Sequence, residues 1–507
     1  MKSTKSRLTR RNFLKSATSA GLLLPFSSSV LSKVVGQRNE LLMPELNMGV
    51  RKGNQVTFNL KVQTGMSEFF KGIKTPTLGI NQSYLGPVLR AKRGDMVNIN
   101  VNNQFNRIST LHWHGMTLPA KMDGGPHQEI KPGKTWNSRF EIRQGASTLW
   151  YHSHAMHKTG PQVYYGLAGL FIIDDEQSLN AGLPQTYGVD DIPCTIQDRR
   201  FNRNGTLAYN TSMPDRMMGM QGSTILVNGV VDPTLYAKST LLRLRLHNGS
   251  NARTYNFAFN DNRSFQVIAS ECGFLNQAFE TNQIRLAPAE RAEILVDVSD
   301  KKQIMLKSLA SSGGSGMGMM PMMRMMNNNA EMDVLLIDAR NAKPSKYQLP
   351  KRLPKSSAHP DPRKAVMTRK FELEMGMMGG GMMKGGPMGM MRGGGGMFRI
   401  NGKSMDKKRI DFQVKRNTTE IWEVSNASPM AHPFHVHNVQ FKVLDRNGKR
   451  PNPSETGLKD TVLVGGGETV RIVMRFPEYS DAKVPYMYHC HILEHEDQGM
   501  MGQFVVV

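Results

Sequence analysis

Residues 487–495 read Met-Tyr-His-Cys-His-Ile-Leu-Glu-His, a strand-like stretch that holds three histidines and a cysteine. In a β-strand, residues two apart point to the same face. His489 and His491 therefore share one face, and Cys490 lies on the other. The stretch predicts two separate groups of side chains that are joined by three consecutive residues.

Histidines recur in this pattern elsewhere in the chain. Of the 14 histidines, all but His127, His157, His247 and His359 lie in four short motifs. Because neutral imidazoles are costly to desolvate together and repel one another when protonated, four His-X-His pairs predict a metal cluster. The motifs are His112/His114, His152/His154, His432/His435/His437 and His489/His491/His495.

The donor types narrow the choice of metal. The histidine pairs contain no carboxylate, which argues against calcium and magnesium, and a structural zinc site more often has paired cysteines. Cys490, with the imidazoles of His432 and His495 and the thioether of Met500, makes the ligand set of a blue-copper site. Its covalent bonds to His489 and His491 give an electron a short path from that copper to the imidazole cluster.

Short alternating segments predict the fold class. Val97, Ile99 and Val101 alternate with polar residues, as do Leu242, Leu244 and Leu246. Such segments, separated by turns, are typical of half-buried strands in β-sandwiches or barrels. A weak internal repeat divides them into similar units, of which the middle one has none of the histidine pairs. We therefore expect an all-β protein with a metal site shared between its first and third domains. The predicted boundaries are 40–185 for domain 1, 190–340 for domain 2, 341–364 for a linker and 365–507 for domain 3, with a Met-rich insertion at 375–397.

The N-terminus has the pattern of an export signal. Thr9-Arg10-Arg11-Asn12-Phe13-Leu14-Lys15 precedes a weakly apolar stretch and resembles the twin-arginine (Tat) signal. We expect residues 1–38 to be a signal peptide, although a disordered basic tail is an alternative. Export by the Tat machinery would place the mature protein in the periplasm.

Composition excludes several classes of protein. The net charge of +24 would suit a nucleic-acid partner, but the sequence has no nucleic-acid-binding motif, so none is expected. The longest apolar runs are shorter than the ~18 residues that span a bilayer, so stable membrane insertion is not expected. Three cysteines cannot form a disulfide framework. We expect a monomer.

At the four histidine motifs the sequence resembles the multicopper oxidase family, over essentially the whole mature chain. The resemblance implies three cupredoxin-like Greek-key domains and four copper ions. By motif position it implies a type 1 copper at His432, Cys490, His495 and Met500; a type 2 copper at His112 and His437; and a type 3 pair at His114, His152 and His491 and at His154, His435 and His489.

The resemblance also implies a reaction. Four one-electron oxidations occur at the type 1 copper, and Cys490 passes the electrons to the cluster, where O2 is reduced to water. Asp123 and Glu496 match acids that supply protons in similar oxidases. The alternative for each is an ordinary surface or turn carboxylate.

The Met-rich runs indicate the reductant. Thioethers favour Cu(I), and runs such as 317–326 among glycines do not look like core packing. The sequence looks most like the periplasmic copper-efflux (cuprous) oxidases, and Met375 and Met430 match their substrate-copper ligands. It departs from them at Gly380 and Ser428, where those enzymes have aspartates. The role of the aspartates, which is to stabilise Cu(II) once the electron has left, could pass to Glu372 or Glu374.

Two other functions are compatible with these features. One is a laccase-like oxidase of phenols, or a ferroxidase. The other is a Met-rich copper-sequestering protein without enzyme activity. Another group of methionines either forms a further site for a soft metal ion or lines a loop: Met213, Met217, Met218 and Met220.

Overall fold

The computed structural model describes residues 38–209, 212–310, 330–350, 352–354, 359–376, 396–476 and 479–507. The predicted signal peptide up to residue 37, the run at 317–326 and residues 377–395 of the predicted insertion, with Gly380, lie outside the described residues. Among the helices that are described, none is both long enough and apolar enough to cross a membrane.

Strands build most of the described chain, as predicted for an all-β protein. The first group of strands is β2 (Leu46–Asn47), β3 (Val50–Lys52), β4 (Gln55–Phe70), β5 (Ile73–Ile80), β6 (Val88–Lys92), β7 (Met96–Asn103), β8 (His112–His114), β9 (Thr135–Glu141), β10 (Ser147–His152) and β11 (Ala168–Asp174). The middle group is β1 (Asn39–Glu40), β12 (Asp191–Arg199), β13 (Thr224–Val227), β14 (Val230–Val231), β15 (Pro233–Tyr236), β16 (Leu241–Asn248), β17 (Tyr255–Phe259), β18 (Phe265–Ser270), β19 (Gly273–Thr281), β20 (Gln283–Leu286), β21 (Arg291–Asp297), β22 (Gln303–Ser308) and β23 (Met332–Asp338). The third group is β24 (Ala365–Met375), β25 (Phe398–Ile400), β26 (Phe412–Val414), β27 (Thr419–Asn426), β28 (His432–Val436), β29 (Phe441–Arg446), β30 (Thr461–Val464), β31 (Thr469–Arg475), β32 (Asp481–Cys490) and β33 (Met501–Val506).

Helices are short and lie in the connections. The α-helices are α1 (Thr159–Tyr164), α2 (Glu176–Leu179), α3 (Met213–Met218) and α4 (Leu493–Asp497), and the 3₁₀ helices are Ala120–Met122, Pro362–Lys364 and Pro453–Glu455.

Each group of strands forms two sheets around an apolar core. In the first group the sheet orders are β3-β4-β7-β9, with β5 joined to β4, and β2-β6-β11-β10-β8. In the middle group they are β14-β13-β12-β16-β21-β18-β19 and β1-β15-β23-β22-β17-β20, and in the third β25-β24-β27-β31-β29 and β26-β33-β32-β28-β30. Strand β1 pairs in parallel with β15, so the segment before β2 joins a sheet of the middle group.

Strand β16 differs from its sequence pattern. Its alternation of leucine with polar residues predicts one solvent-facing side, as in β7, where buried and half-buried positions alternate. In the structure every residue of β16 is buried. The reason is that the polar face contacts the first group: Arg245 Nη1 donates to Thr148 Oγ1 at 2.7 Å. The interface between groups therefore buries a charged strand face.

Candidate metal centre

The four histidine motifs lie on neighbouring strands. In the first group β8 pairs with β10, which places His112 opposite His152. In the third group β28 pairs with β32, which places His435 opposite His489 and Phe434 opposite Cys490. The strand period puts His112 and His114 on one face of β8, whereas His154, His437 and His491 lie just beyond the ends of β10, β28 and β32.

The first cluster is formed by His432, Cys490 and His495. Cys490 Sγ lies 3.4 Å from His432 Nδ1 and 3.7 Å from His495 Nδ1, and the two nitrogens are 3.3 Å apart. All three side chains are buried. Strand β32 ends at Cys490, and helix α4 brings His495 back over it. Met500 is fully buried in the same core, and its carbonyl accepts a hydrogen bond from Cys490 N at 3.0 Å.

Hydrogen bonds on the outer nitrogens orient both imidazoles of this cluster. His432 Nε2 lies 2.8 Å from Ser428 Oγ, and His495 Nε2 donates to the carbonyl of Met217 at 2.9 Å. Both Nδ1 atoms therefore face the sulfur with free lone pairs. Burial raises the pKa of the Cys490 thiol and lowers that of His495 to about 3. A cation is what would stabilise the thiolate here, so the donor set fits a soft metal ion.

The second cluster contains the other eight histidines of the motifs, all buried. In six of them one ring nitrogen is fixed by an oxygen atom outside the cluster. These contacts join His112 Nδ1 to Asp123 O (2.9 Å), His437 Nδ1 to Asp123 Oδ2 (2.7 Å), His152 Nδ1 to Ser153 O (2.8 Å), His435 Nδ1 to Asp460 O (2.7 Å), His489 Nδ1 to Cys490 O (3.0 Å) and His114 Nε2 to Asp460 Oδ1 (2.9 Å).

The opposite ring nitrogens face one another. His489 Nε2 lies 3.3 Å from the Nε2 atoms of both His154 and His437. Burial lowers the pKa of His489 to about 4 and that of His112 to about 3, so the rings are neutral. Neutral, oriented imidazoles with free lone pairs in a closed space fit metal ions. In this cluster the buried nitrogens without a hydrogen-bond partner are His112 Nε2, His114 Nδ1, His152 Nε2, His154 Nδ1, His435 Nε2 and both nitrogens of His491.

Both predicted proton-relay acids lie at this cluster. Asp123 contacts His437 as described, and Glu496 lies between two rings, with Oε1 3.2 Å from His154 Nδ1 and Oε2 3.3 Å from His489 Nδ1. Neither contact has hydrogen-bond alignment. Burial raises the pKa of Asp123 and of Glu496 well above the usual range, so each carboxyl can hold a proton beside the imidazoles.

The residues predicted for the substrate copper have different surroundings in the structure. Met375 is opposite Phe398 across β24 and β25, and the Phe398 ring stacks on His495 with centroids 4.0 Å apart. Met430 is partly buried against the same core. Glu374 lies on the other face of β24 from Met375, and its carboxylate accepts from Gly402 N and pairs with Arg399.

Glu374 therefore does not share a face of β24 with Met375. Glu372, also on the face away from Met375, is exposed. Ser428 is buried and contacts His432.

Sequence reasoning missed Asp460 and the role of Met217. Asp460 contacts the imidazoles of His114 and His435, yet it is a lone aspartate before β30 with no motif around it. Met217 contacts His495 through its carbonyl, which any residue type supplies. The contact of Asp460 with His114 depends on packing of the third group against the first, and that of Met217 with His495 on packing of the middle group against the third.

Comparison with known proteins agrees with this geometry. Multicopper oxidase family models match residues 61–178, 193–312 and 374–507. A multicopper oxidase of Staphylococcus aureus is 38% identical over 475 residues, covering 92% of this chain and 93% of that protein. The cell division protein FtsP of Photorhabdus laumondii is 32% identical, covering 98% of each chain.

A solved structure is also similar over most of the chain. It is a laccase-like multicopper oxidase from Ochrobactrum sp. with oxidase activity towards lignin model compounds, with 34% identity and a TM-score of 0.80. The structural match covers 92% of this chain and 100% of the Ochrobactrum chain. Together with the three family matches, this likeness shows that the chain belongs to the multicopper oxidases, copper-dependent oxidoreductases built from cupredoxin domains.

Proposed function

We propose that this multicopper oxidase oxidises Cu(I) to Cu(II) and reduces O2 to water, holding four copper ions at the ligands predicted by motif position. Four Cu(I) ions, one O2 and four protons give four Cu(II) ions and two waters. When bound, the resident copper supplies one-electron redox chemistry at the sulfur-containing cluster and O2 reduction at the imidazole cluster.

The proposal that Cu(I) is the substrate rests on the residues around His495. Its ring is buried between Phe398 and helix α3, and its Nε2 donates to the Met217 carbonyl. Met217 is half-buried, and Met375 lies beside Phe398. Two methionines thus belong to the segments that contact the predicted type 1 ligand His495, and their soft thioethers are suited to capture a soft ion there.

The two buried carboxyl groups support proton delivery. Burial raises the pKa of both groups, which favours a proton on Asp123 beside His437 and on Glu496 between His154 and His489. Because the ring nitrogens are committed to orientation or to metal, these acids are the groups placed to move protons at the imidazole cluster.

The periplasmic location predicted from the N-terminal sequence is consistent with a role in copper tolerance. The Arg10-Arg11 pattern is that of a Tat substrate, which crosses the membrane already folded. A periplasmic enzyme that removes Cu(I) would lower copper toxicity there.

The test is steady-state O2 consumption with Cu(I) and, separately, with a phenol. Replacing Met375 and Met430 by leucine should lower turnover of Cu(I) while turnover of the phenol persists. The matched control replaces Met48 and Met66, exposed methionines on the first group, by leucine. Equal turnover of Cu(I) in both double variants would contradict Cu(I) binding at Met375 and Met430, and no O2 consumption with Cu(I) in the unaltered protein would contradict the proposed substrate.

Phenol oxidation is the second candidate, because the similar Ochrobactrum enzyme is described as laccase-like. Faster O2 consumption with the phenol than with Cu(I) in the unaltered protein would favour it. Copper storage without catalysis is tested by Cys490→Ser: a store keeps its Cu(I), whereas an oxidase loses its blue colour and O2 uptake.

A further inference from the structure

We propose that Arg291, on the middle group of strands, is a positioning residue for the predicted type 3 pair. It holds Asp460 so that this one residue orients an imidazole ligand of each of the two ions. The proposal rests on the proposed copper ligands and is independent of which reductant the enzyme uses.

Asp460 contacts one histidine from each side of the cluster. Its Oδ1 accepts from His114 Nε2 at 2.9 Å, and its backbone carbonyl accepts from His435 Nδ1 at 2.7 Å. The two rings stack with centroids 3.7 Å apart and an interplanar angle of 15°. By motif position, His114 and His435 bind different ions of the pair. A shift of Asp460 would therefore turn both rings together.

Contacts to Arg291 fix the carboxylate of Asp460. Arg291 Nη1 donates to Oδ1 at 2.8 Å and Nη2 to Oδ2 at 2.6 Å, and both side chains are fully buried. The Cys272 thiol donates to Oδ2 at 3.4 Å. A bidentate guanidinium fixes the carboxylate plane, which a single ammonium donor does not.

Arg291 also connects all three groups of strands. It begins β21 of the middle group, its Nε donates to the carbonyl of Thr148 on β10, and its Nη1 donates to the carbonyl of Ala289. Strand β10 ends at His152, another predicted ligand. The middle group, which has none of the predicted ligands, thus reaches the cluster through this side chain.

Gly115 leaves room for this contact. A Cβ at this position would lie 2.4 Å from Asp460 Oδ2 and 3.0 Å from Arg291 Nη2. The residue after ligand His114 therefore has to be small for the ion pair to approach it.

The test compares Arg291→Met with Arg245→Met. Arg245 is a matched control because it is a buried arginine of the middle group that binds Thr148, Asp191 and Glu293 and contacts no histidine. Copper retention is measured by competition with a chelator. Electron paramagnetic resonance then detects copper ions that are no longer coupled as a pair, and blue absorption reports the cluster at Cys490.

We expect Arg291→Met to weaken retention of the paired copper by at least about tenfold, the usual cost of losing an outer partner of a ligand. It should raise the fraction of copper that is detected by resonance and leave the blue absorption unchanged. Arg291→Lys should fall between Arg291→Met and the unaltered protein. Arg245→Met should lower the thermal stability of the apoprotein without changing copper retention or the resonance signal.

Two results would overturn the proposal. One is unaltered copper retention and resonance in Arg291→Met; the other is the same copper loss in Arg245→Met. If Arg291→Met does not fold, Arg291→Lys decides, and retention equal to that of the unaltered protein would overturn the positioning role.

Discussion

Glu494 and Glu496 lie two residues apart on helix α4, yet their carboxylates have different surroundings. Glu494 accepts hydrogen bonds from Tyr209, Asn251 and the Met220 amide at 2.8–2.9 Å. Glu496 instead lies between two imidazoles of the cluster. The sequence predicted the position of Glu496 through its neighbour His495, but the partners of both acids come from distant parts of the chain.

This pair offers a controlled test of proton delivery. We expect Glu496→Gln to lower O2 consumption by about 10²-fold, because an amide cannot transfer a proton in the same way. Glu494→Gln, equally buried, should change it less than about tenfold. Blue absorption checks that both variants hold copper. Similar losses in the two variants would argue against a proton-relay role for Glu496.

At the scale of elements, the turn after the 3₁₀ helix Ala120–Met122 positions Asp123. Gly124 has a φ of +78°, and a Cβ there would lie 1.8 Å from the carbonyl of Leu111. The turn therefore packs directly against the residue before His112. Both the backbone carbonyl and the carboxylate of Asp123 depend on this packing to reach the imidazoles of His112 and His437.

Replacing Gly124 by alanine should disturb the predicted type 2 site. Gly133→Ala is the control, since Gly133 also has a positive φ, +73°, but open space around its Cβ. Both variants bear the ~1–2 kcal/mol cost of a left-handed alanine. Gly124→Ala adds a clash of about 1–3 kcal/mol. We expect it to have a lower midpoint in urea and less bound copper, and equal midpoints would contradict this account.

The elements also show what sequence periodicity can and cannot predict. Alternation placed His489 and Cys490 on opposite faces, and the structure has the same arrangement, because the strand period is a local property. The burial of the polar face of β16 was not predictable, since it depends on contact with a different group of strands. Asp460 and Met217 escaped prediction for the same reason. Their contacts join residues hundreds of positions apart.

At the scale of the whole molecule, the buried imidazoles make stability depend on pH. Burial lowers the pKa of His489 to about 4 and that of His112 to about 3. In the unfolded chain a histidine titrates near 6.5. Between these values the unfolded state binds more protons than the folded state, so stability rises with pH.

We expect the apoprotein to lose stability as pH falls from 7 to 5. Each histidine that is protonated only in the unfolded chain costs about 1.4 kcal/mol per pH unit below its unfolded pKa. The midpoint of urea unfolding of the copper-free protein measures the loss. A His154→Asn variant should show a shallower dependence on pH, and a midpoint that does not change between pH 7 and 5 would contradict the expectation.

The cluster joins His154 to His489, which are 335 residues apart. During translation the first half of the ligands leaves the ribosome long before the second half exists. A nascent chain therefore has open half-sites, and correct metallation has to wait until synthesis is nearly complete. If Cys490 binds the proposed type 1 copper, any frameshift or early stop codon upstream of 489 yields a product that cannot become blue, and colour then reports synthesis past Cys490.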